Sequence, residues 1–410
     1  MMKPTSQQTE PTHSYWLTNA PYQDYRSTPN LPSQTDVVVI GGGMTGVSTA
    51  YWLSKNGIDV TLLERRGISG GATGRNGGNF NPRTTKNFAL AIKEYGVDTA
   101  LAILAYVGKN AQAIKNFVRE HNVDCELSFP GAVTLALTPE ESDLVQQAAS
   151  ALAEYGVAGE YWNRQQCTQF THSSDFLAGV FYPDVGRLWP AKLVAAIASE
   201  GIKQGVNIQT QTEVYQVQPE SSGLIVKTNR GSLLAQNVVY ATNAWTRELL
   251  PFVKDIIVPI RGQMLVTEPV PPIWDFSFFT TFEYGLQRPD GRIFLGGRRW
   301  ASPTGEVNND DDTVINPAVS QGLKGFLTQH FPDLRNIKAE QEWTGVMAFS
   351  KDANPLIGPV PQRPGEYIAA GFTGNGMVMT FLAGLAITDM MMGRSPEVFV
   401  EAFLPSRFLA

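Results

Sequence analysis

The feature that most constrains this 410-residue chain is the segment VVVIGGGMTGVSTA at residues 37–50. An apolar run typical of a buried strand leads into Gly41, Gly43 and Gly46, in the order GxGxxG, and a helical pattern follows. In such a turn the first glycine permits the tight bend, the second lets the backbone approach a pyrophosphate, and the third lets helix and strand pack closely. The helix N-terminus adds N–H groups and a partial positive charge. The segment therefore predicts a βαβ unit that binds a dinucleotide.

The next strand, predicted at 59–63, ends at Glu64. Its carboxylate is placed to accept hydrogen bonds from ribose hydroxyls, and it would repel the 2′-phosphate of NADP. A glycine-rich turn without any ligand is the simpler alternative, which Glu64 in this context disfavours. The turn alone leaves the choice between NAD and FAD open.

Two further glycine clusters favour FAD. One is GGATGRNGGNF at residues 70–80, and the other is AAGFTGNGM at residues 369–377, between a predicted strand and a helix predicted at 377–392. A nicotinamide cofactor has no evident need for a second strand–glycine–helix turn so far along the chain. The flavin ring of FAD needs donors where its reduced form carries negative charge, and a helix N-terminus supplies them.

Composition excludes several classes of protein. The formal net charge is −6, and no block of Lys or Arg indicates a nucleic-acid surface. The two cysteines, Cys125 and Cys167, lie far apart, and the four histidines form no metal-binding motif, so we expect neither a disulfide framework nor a metal site. The polar N-terminus is unlike a signal peptide, and no apolar run is long enough to span a membrane, so we expect a cytoplasmic protein.

Periodicity elsewhere predicts alternating structural types. Helices are expected at 84–122, 139–155, 190–203 and 317–330, a β meander at 207–240, and a hairpin at LQRPDGRIFLGG. Residues 1–34 predict an irregular arm with aromatic residues that can pin it to the body.

The order of motifs resembles the D-amino-acid-oxidase-like flavoprotein family, which includes glycine oxidase and sarcosine oxidase. The resemblance rests on GxGxxG with Glu64, GATGRNGG, VVYATNAW, PIRGQM, PDGRIFLGG and GFTGNGM, and covers residues 35–395. The GRNGG loop and the SYW of the arm are most similar to the γ-glutamylputrescine oxidase branch.

The resemblance implies an α/β fold with two domains: a discontinuous Rossmann-like FAD domain with a parallel sheet and a β meander, and an α+β substrate domain with a mostly antiparallel sheet. The implied boundaries are an arm at 1–34, an FAD domain at 35–85, 178–250 and 341–400, and a substrate domain at 86–177 and 251–340.

Cofactor contacts are implied residue by residue. The pyrophosphate would lie against Gly41, Gly43, Met44, Thr45 and Gly46, the ribose against Glu64 and Arg65, and the adenine against the backbone of Val214. The remaining contacts to the pyrophosphate and flavin would come from Ala72, Thr73, Arg75, Asn76, Gly77, Gly78, Thr242, Asn243, Trp245, Gly371, Gly374, Asn375, Gly376 and Met377.

The implied reaction is oxidation of a C–N bond of a small amine, with hydride transfer to flavin N5, hydrolysis of the imine, and O2 or another electron acceptor. Candidate catalytic residues are Asn79, Tyr284, Arg288, Trp343 and Met347.

Departures from the family refine this expectation. Relatives hold a substrate carboxylate with arginines where this chain has Met347 and Gly374, which favours an amine without a flanking carboxylate. An amino-acid oxidase with a relocated anchor, Arg83 or Arg288, is the alternative, and a tailoring enzyme acting on a non-amine substrate is another. A non-catalytic FAD-binding protein is the least favoured. Gly345 stands where sarcosine oxidases carry the flavin-linking cysteine, so we expect noncovalent FAD.

Overall fold

The computed structural model describes residues 10–84 and 86–409; the predictions for residues 1–9, Thr85 and Ala410 lie outside this part. The strands are β1 (Gln34–Ile40), β2 (Val60–Leu63), β3 (Asn79–Phe80), β4 (Ala132–Ala136), β5 (Glu160–Asn163), β6 (Ala178–Tyr182), β7 (Gly186–Arg187), β8 (Asn207–Gln209), β9 (Val214–Glu220), β10 (Gly223–Thr228), β11 (Gly231–Tyr240), β12 (Ile257–Thr267), β13 (Ser277–Phe279), β14 (Glu283–Gln287), β15 (Ile293–Gly297), β16 (Ala339–Ser350), β17 (Leu356–Pro359) and β18 (Glu366–Ala370). The helices are α1 (Met44–Lys55), α2 (Phe88–Tyr95), α3 (Val97–Glu120), α4 (Pro139–Glu154), α5 (Arg164–Thr171), α6 (Pro190–Lys203), α7 (Thr246–Leu249), α8 (Pro317–His330) and α9 (Thr380–Met391).

The first sheet has the strand order β17-β18-β11-β1-β2-β8, and β9 and β10 extend from β11 as a meander. Strands β18, β11, β1, β2 and β8 run parallel, with Val37 to Ile40 paired to Val60 to Leu63 in β2. Parallel strands end at a common edge, so the turns that follow β1, β11 and β18 lie side by side. The predicted parallel sheet with a meander is confirmed.

Helices α1, α3, α6 and α9 cover this sheet and share one apolar core with it. The approach of α1 to α9 depends on Gly384, where an added Cβ would lie 2.7 Å from the backbone nitrogen of Thr49. The predicted helical segment 84–122 is divided at Gly96, whose φ of +82° interrupts the helix between α2 and α3.

The second sheet has the strand order β16-β12-β15-β14-β13-β4-β6-β5. All of its pairs are antiparallel except β13 with β4, so the predicted mostly antiparallel sheet is confirmed. Helix α8 packs Val319, Leu323 and Phe326 on this sheet. None of the helices within residues 10–84 and 86–409 combines the length and the hydropathy of a membrane span.

Three elements lie elsewhere than the expected domain boundaries suggest. Strands β6 and β16, which we assigned to the FAD domain, are hydrogen-bonded into the second sheet. Helix α3, which we assigned to the substrate domain, packs Ile103 and Tyr106 into the core of the first sheet. The domain limits themselves remain a prediction.

The described part of the arm is mostly irregular, with a 3-10 turn at Tyr15–Leu17 and a β-bridge from Arg26 to Gln209. Trp16 is buried, its ring lies 4.2 Å from that of Phe294, and its indole Nε1 donates to the Asn76 carbonyl over 2.6 Å. The Ser14 hydroxyl donates to the Gly74 carbonyl over 2.6 Å. The arm thus holds the loop that contains the second glycine cluster.

Candidate active site

A cavity of about 690 Å³ lies where the first sheet meets the second. Its walls come from the three glycine-rich turns and from the inner face of β12, β14 and β16. A volume of this size is in the range of small-molecule and cofactor sites. The three turns, which are far apart in the sequence, therefore converge on one space.

The first turn is possible only with glycine at two positions. Gly41 has a φ of +113°, and a Cβ there would lie 2.6 Å from the Ala241 carbonyl oxygen. A Cβ on Gly46 would lie 1.8 Å from the Gly41 carbonyl oxygen, which no adjustment of side chains can relieve. The N-cap residue of α1 is Gly43, which supplies no side-chain cap. At the start of α1 the Met44 N–H donates to the Thr73 hydroxyl, whereas the N–H groups of Thr45 and Gly46 have no side-chain acceptor among the described residues, as an anion site requires.

The Glu64 carboxylate is held in place by backbone donors. Oε2 accepts from the Gly42 N–H and Oε1 accepts from the Arg66 N–H, each over 2.6 Å. The side chain is buried but still lines the cavity beside Val214 and Arg65. Its remaining lone pairs can accept hydroxyl donors, as a ribose would provide.

The second glycine cluster forms a 3-10 turn at Ala72–Arg75. The Thr73 hydroxyl accepts from the Met44 N–H over 3.0 Å, which ties this loop to the first turn. Arg75 is buried, and burial lowers the pKa of its guanidinium to about 10. The guanidinium donates to the carbonyls of Thr12 and Thr344, so it holds the arm and β16 together beside the cavity.

The third turn has positive φ angles at Gly371, Thr373 and Gly374. The Gly371 N–H donates to Asn243 Oδ1 over 3.1 Å, which connects this turn to the loop after β11. The helix predicted at 377–392 begins later than expected, because Met379 has the non-helical angles φ −127° and ψ −30°. A 3-10 turn at Gly376–Val378 precedes α9 and faces the cavity.

The second sheet supplies the opposite wall. Gly345, Met347 and Phe349 alternate along β16 with residues that point away, so all three face the cavity. Tyr284 of β14 also lines it, and burial raises the pKa of its phenol to about 12. The hydroxyl therefore stays protonated near neutral pH and can serve only as a hydrogen-bonding group.

Unpaired polar atoms around this cavity fit a polar ligand with both donors and acceptors. Asn79 Oδ1, Asn81 Oδ1 and Thr380 Oγ1 are buried and have no hydrogen-bond partner among the described residues, and all three residues line the cavity. Buried polar groups normally have partners. Together with the N–H groups of Thr45 and Gly46 at the start of α1 and the fixed Glu64 carboxylate, they form a donor and acceptor set suited to FAD.

Most residues predicted to contact the cofactor do line the cavity. They are Gly41, Gly43, Met44, Thr45, Glu64, Arg65, Ala72, Thr73, Arg75, Asn76, Gly77, Val214, Thr242, Asn243, Trp245, Gly374, Asn375, Gly376 and Met377. Gly46, Gly78 and Gly371 are not among the lining residues; they act behind the wall, where Gly46 packs on Gly41 and Gly78 on Trp16. Which of these residues touch a bound cofactor remains a prediction.

Among the candidate catalytic residues, Asn79, Tyr284 and Met347 line the cavity, but Arg288 and Trp343 do not. Arg288 forms ion pairs with Glu126 and Asp290, and Trp343 is fully buried and donates to the Arg75 carbonyl. The expectation that these two side chains face the reaction is therefore corrected.

Sequence reasoning missed the mouth of the cavity. Phe282, Arg299 and Trp300 line it, and Phe282 and Trp300 are exposed. They follow β13 and β15 in loops without a recognisable motif. For Arg299 and Trp300 the available signal was their position after the GG of the IFLGG strand, and Phe282 had none.

Known proteins resemble the chain over most of its length. The chain is 25% identical over 377 residues to a probable oxidoreductase OrdL of Rhizobium meliloti, which covers 89% of this chain and 85% of the relative. It is also 25% identical over 413 residues to gamma-glutamylputrescine oxidoreductase of Escherichia coli, with 97% and 93% covered. Among solved structures, glycine oxidase from Geobacillus kaustophilus superposes with a TM-score of 0.81 at 19% identity, covering 92% of this chain and 99% of the other.

The DAO family of proteins, described as FAD dependent oxidoreductase, matches residues 36–390. This range contains all three glycine turns and, apart from the first two residues of β1, both sheets. The donor and acceptor set of the cavity suits the same cofactor. The chain therefore belongs to the DAO family of FAD-dependent oxidoreductases.

Proposed function

We propose that this protein oxidises a carbon–nitrogen bond of a small amine and passes the electrons to O2, forming hydrogen peroxide. Bound FAD would supply the two-electron chemistry by accepting a hydride from the carbon next to the amine nitrogen. The oxidised substrate is an imine, which water hydrolyses to a carbonyl compound. Two relatives support the amine as substrate, since their names are glycine oxidase and gamma-glutamylputrescine oxidoreductase.

The single observation that carries this proposal is the convergence of the three glycine turns on one cavity with a second-sheet wall. The first turn and Glu64 would hold the pyrophosphate and ribose, and the third turn would lie beside the flavin ring. The wall formed by Tyr284, Met347 and Phe349 would orient the amine against that ring. Effective orientation of this kind lowers the barrier by converting a bimolecular step into an internal one.

The residues of this wall also indicate which protonation state reacts. Met347 and Phe349 do not titrate, and Tyr284 keeps its proton through the neutral range. Glu283, which also lines the cavity, is paired with Arg298 over 2.7 Å. None of the described residues of this wall is poised to remove a proton from an ammonium, so the amine is expected to enter in its neutral form.

We further propose that FAD is held without a covalent bond. Cys125 and Cys167 are both buried and neither lines the cavity, and burial raises the pKa of each thiol to about 11. Such thiols are poor nucleophiles. Gly345 lines the cavity and has no side chain to offer.

The test is to purify the holoprotein, remove oxygen, and record the flavin spectrum during addition of amines, amino acids and hydroxy acids. Bleaching by amines followed by peroxide formation on admission of air is the expected result. Bleaching by hydroxy acids alone would refute the choice of amine, and slow reoxidation in air would refute O2 as acceptor. Yellow pigment that stays with acid-precipitated protein would refute noncovalent binding.

A further inference from the structure

Four arginines line the cavity: Arg65, Arg66, Arg75 and Arg299. The first three have acidic partners. Arg65 lies 3.9 Å from Glu213. Arg66 and Arg75 share one carboxylate, that of Asp312, at 2.7 Å and 3.9 Å. Among the described residues, Arg299 has no carboxylate within ion-pair distance, so its charge is not compensated by the protein.

The Arg299 guanidinium is nevertheless fixed in place. Its Nη1 donates to the Gly305 carbonyl over 3.1 Å, and its Cζ lies 4.0 Å from the centre of the Trp300 ring and 5.9 Å from that of Phe349. Only Nη1 has a hydrogen-bond partner among the described residues, and none of the guanidinium nitrogens is a buried atom without a partner. The remaining donors are therefore accessible, and Arg299 is one of the residues that line the cavity.

Arg299 lies at the end of the cavity near the third glycine turn. Phe349, beside the guanidinium, forms a bridge with Phe372 at the start of that turn. A Cβ on Gly374 would lie 3.8 Å from the Met347 sulfur, so the turn also lies against the neighbouring cavity-facing residue of β16. The Glu64 end is built from other elements, β2 and β9.

We propose that Arg299 is the binding subsite for a carboxylate on the substrate, so that the substrate is an amine that also carries an anionic group. This inference rests on the proposed function and specifies its substrate class. A planar guanidinium with free donors suits the two oxygens of a carboxylate. An uncompensated charge in a partly enclosed cavity is costly, and a bound anion would relieve that cost. In agreement, burial lowers the pKa of Arg299.

Neither of the two arginines that the sequence suggested as an anchor, Arg83 and Arg288, is available to a substrate. Arg83 is paired with Asp184, and Arg288 is paired with Glu126 over 2.8 Å; neither lines the cavity. The rings of Trp300 and Phe349 flank Arg299 instead, and stacking on Trp300 fixes the plane of the guanidinium against which a carboxylate would bind.

Binding of simple carboxylates can test this subsite without turnover. The holoprotein is titrated with acetate, propionate and butyrate, and in parallel with the uncharged amides of the same acids, while the flavin absorbance spectrum is recorded. We expect each carboxylate to bind more tightly than its amide. In Arg299→Gln the carboxylate should bind about ten- to a hundredfold more weakly, the range for a lost hydrogen bond to a charged group.

The matched control is Arg292→Gln, because Arg292 is paired with Glu340 over 2.8 Å outside the cavity. This variant should bind carboxylates as the unmodified protein does. Arg299→Lys keeps the charge and should bind more tightly than Arg299→Gln. Equal affinity of the unmodified protein for acids and amides, or unchanged carboxylate binding in Arg299→Gln, would overturn the subsite.

The two proposals fail in different ways. If no amine bleaches the flavin but carboxylate binding depends on Arg299, the amine reaction is wrong and the subsite stands. If amines without a carboxylate bleach the flavin as fast as their carboxylate-bearing counterparts in the unmodified protein, the subsite is wrong and the amine reaction stands.

Discussion

The contact between the arm and the second glycine turn gives the sharpest prediction, through the variant Trp16→Phe. The phenyl ring keeps most of the packing against Phe294, but it removes the indole N–H that donates to the Asn76 carbonyl. A Cβ on Gly78 would lie 2.8 Å from the Trp16 ring, so the loop rests directly on this side chain. We therefore expect the loop to lose its fixed position while the core stays filled.

The magnitude follows from the hydrogen bond. Leaving this partly buried acceptor without its donor costs about 1–2 kcal/mol, the lower part of the range for buried groups. If the loop is ordered mainly in the form that binds FAD, this cost appears as a dissociation constant for FAD that is raised about five- to thirtyfold. Trp16→Ala also removes a fully buried ring, so it should lower the free energy of unfolding by about 3–5 kcal/mol.

The assay is fluorescence titration of apoprotein with FAD, with thermal unfolding recorded on the same samples. Trp162→Phe is the matched control, since Trp162 is also buried but stacks on Phe181 in the second sheet, away from the cavity. It should leave FAD affinity unchanged. If Trp16→Phe binds FAD as tightly as Trp162→Phe does, the arm has no role in positioning the loop.

Three other predictions concern the cavity. Gly46→Ala should abolish FAD binding in an apoprotein titration, because its Cβ would overlap the Gly41 carbonyl oxygen. The control Gly108→Ala lies on the exposed face of α3, where a Cβ has free space, so thermal unfolding should show a fold that is more stable by about 0.5–1 kcal/mol. Glu64→Gln should raise the FAD dissociation constant about tenfold by weakening charge-assisted hydrogen bonds, and an unchanged constant in equilibrium dialysis would contradict the ribose assignment. The value of kcat/KM should rise with pH toward the pKa of the substrate ammonium, because the pKa of Tyr284 is raised to about 12; a break at the same pH for two amines of different basicity would instead indicate a protein group.

The local motifs were predictable from the sequence because glycine and helix periodicity are strong signals. Helix α1 follows the first glycine turn as predicted, and the hairpin of β14 and β15 lies where the turn PDG indicated it. The placement of β6 and β16 was not predictable, since their apolar residues suit either sheet and pairing is decided by long-range partners.

Site prediction succeeded for backbone-determined positions and failed for long side chains. The glycine turns fix their own geometry, whereas Arg288 and Arg299 are similar residues whose roles depend on distant neighbours. Glu126 neutralises the first, and the absence of an acidic neighbour within the described residues leaves the second available. Sequence spacing carries no information on either.

The strand order of the first sheet has a consequence for how the protein is made. Gly41 packs against the backbone of Ala241, and the third turn follows β18. The cavity walls are therefore assembled from segments that are synthesised at widely separated times. Contacts of such high sequence separation form slowly. Acquisition of FAD should thus be among the last events of folding, and free FAD in the refolding mixture should raise the yield by trapping chains whose final parallel strand has just docked.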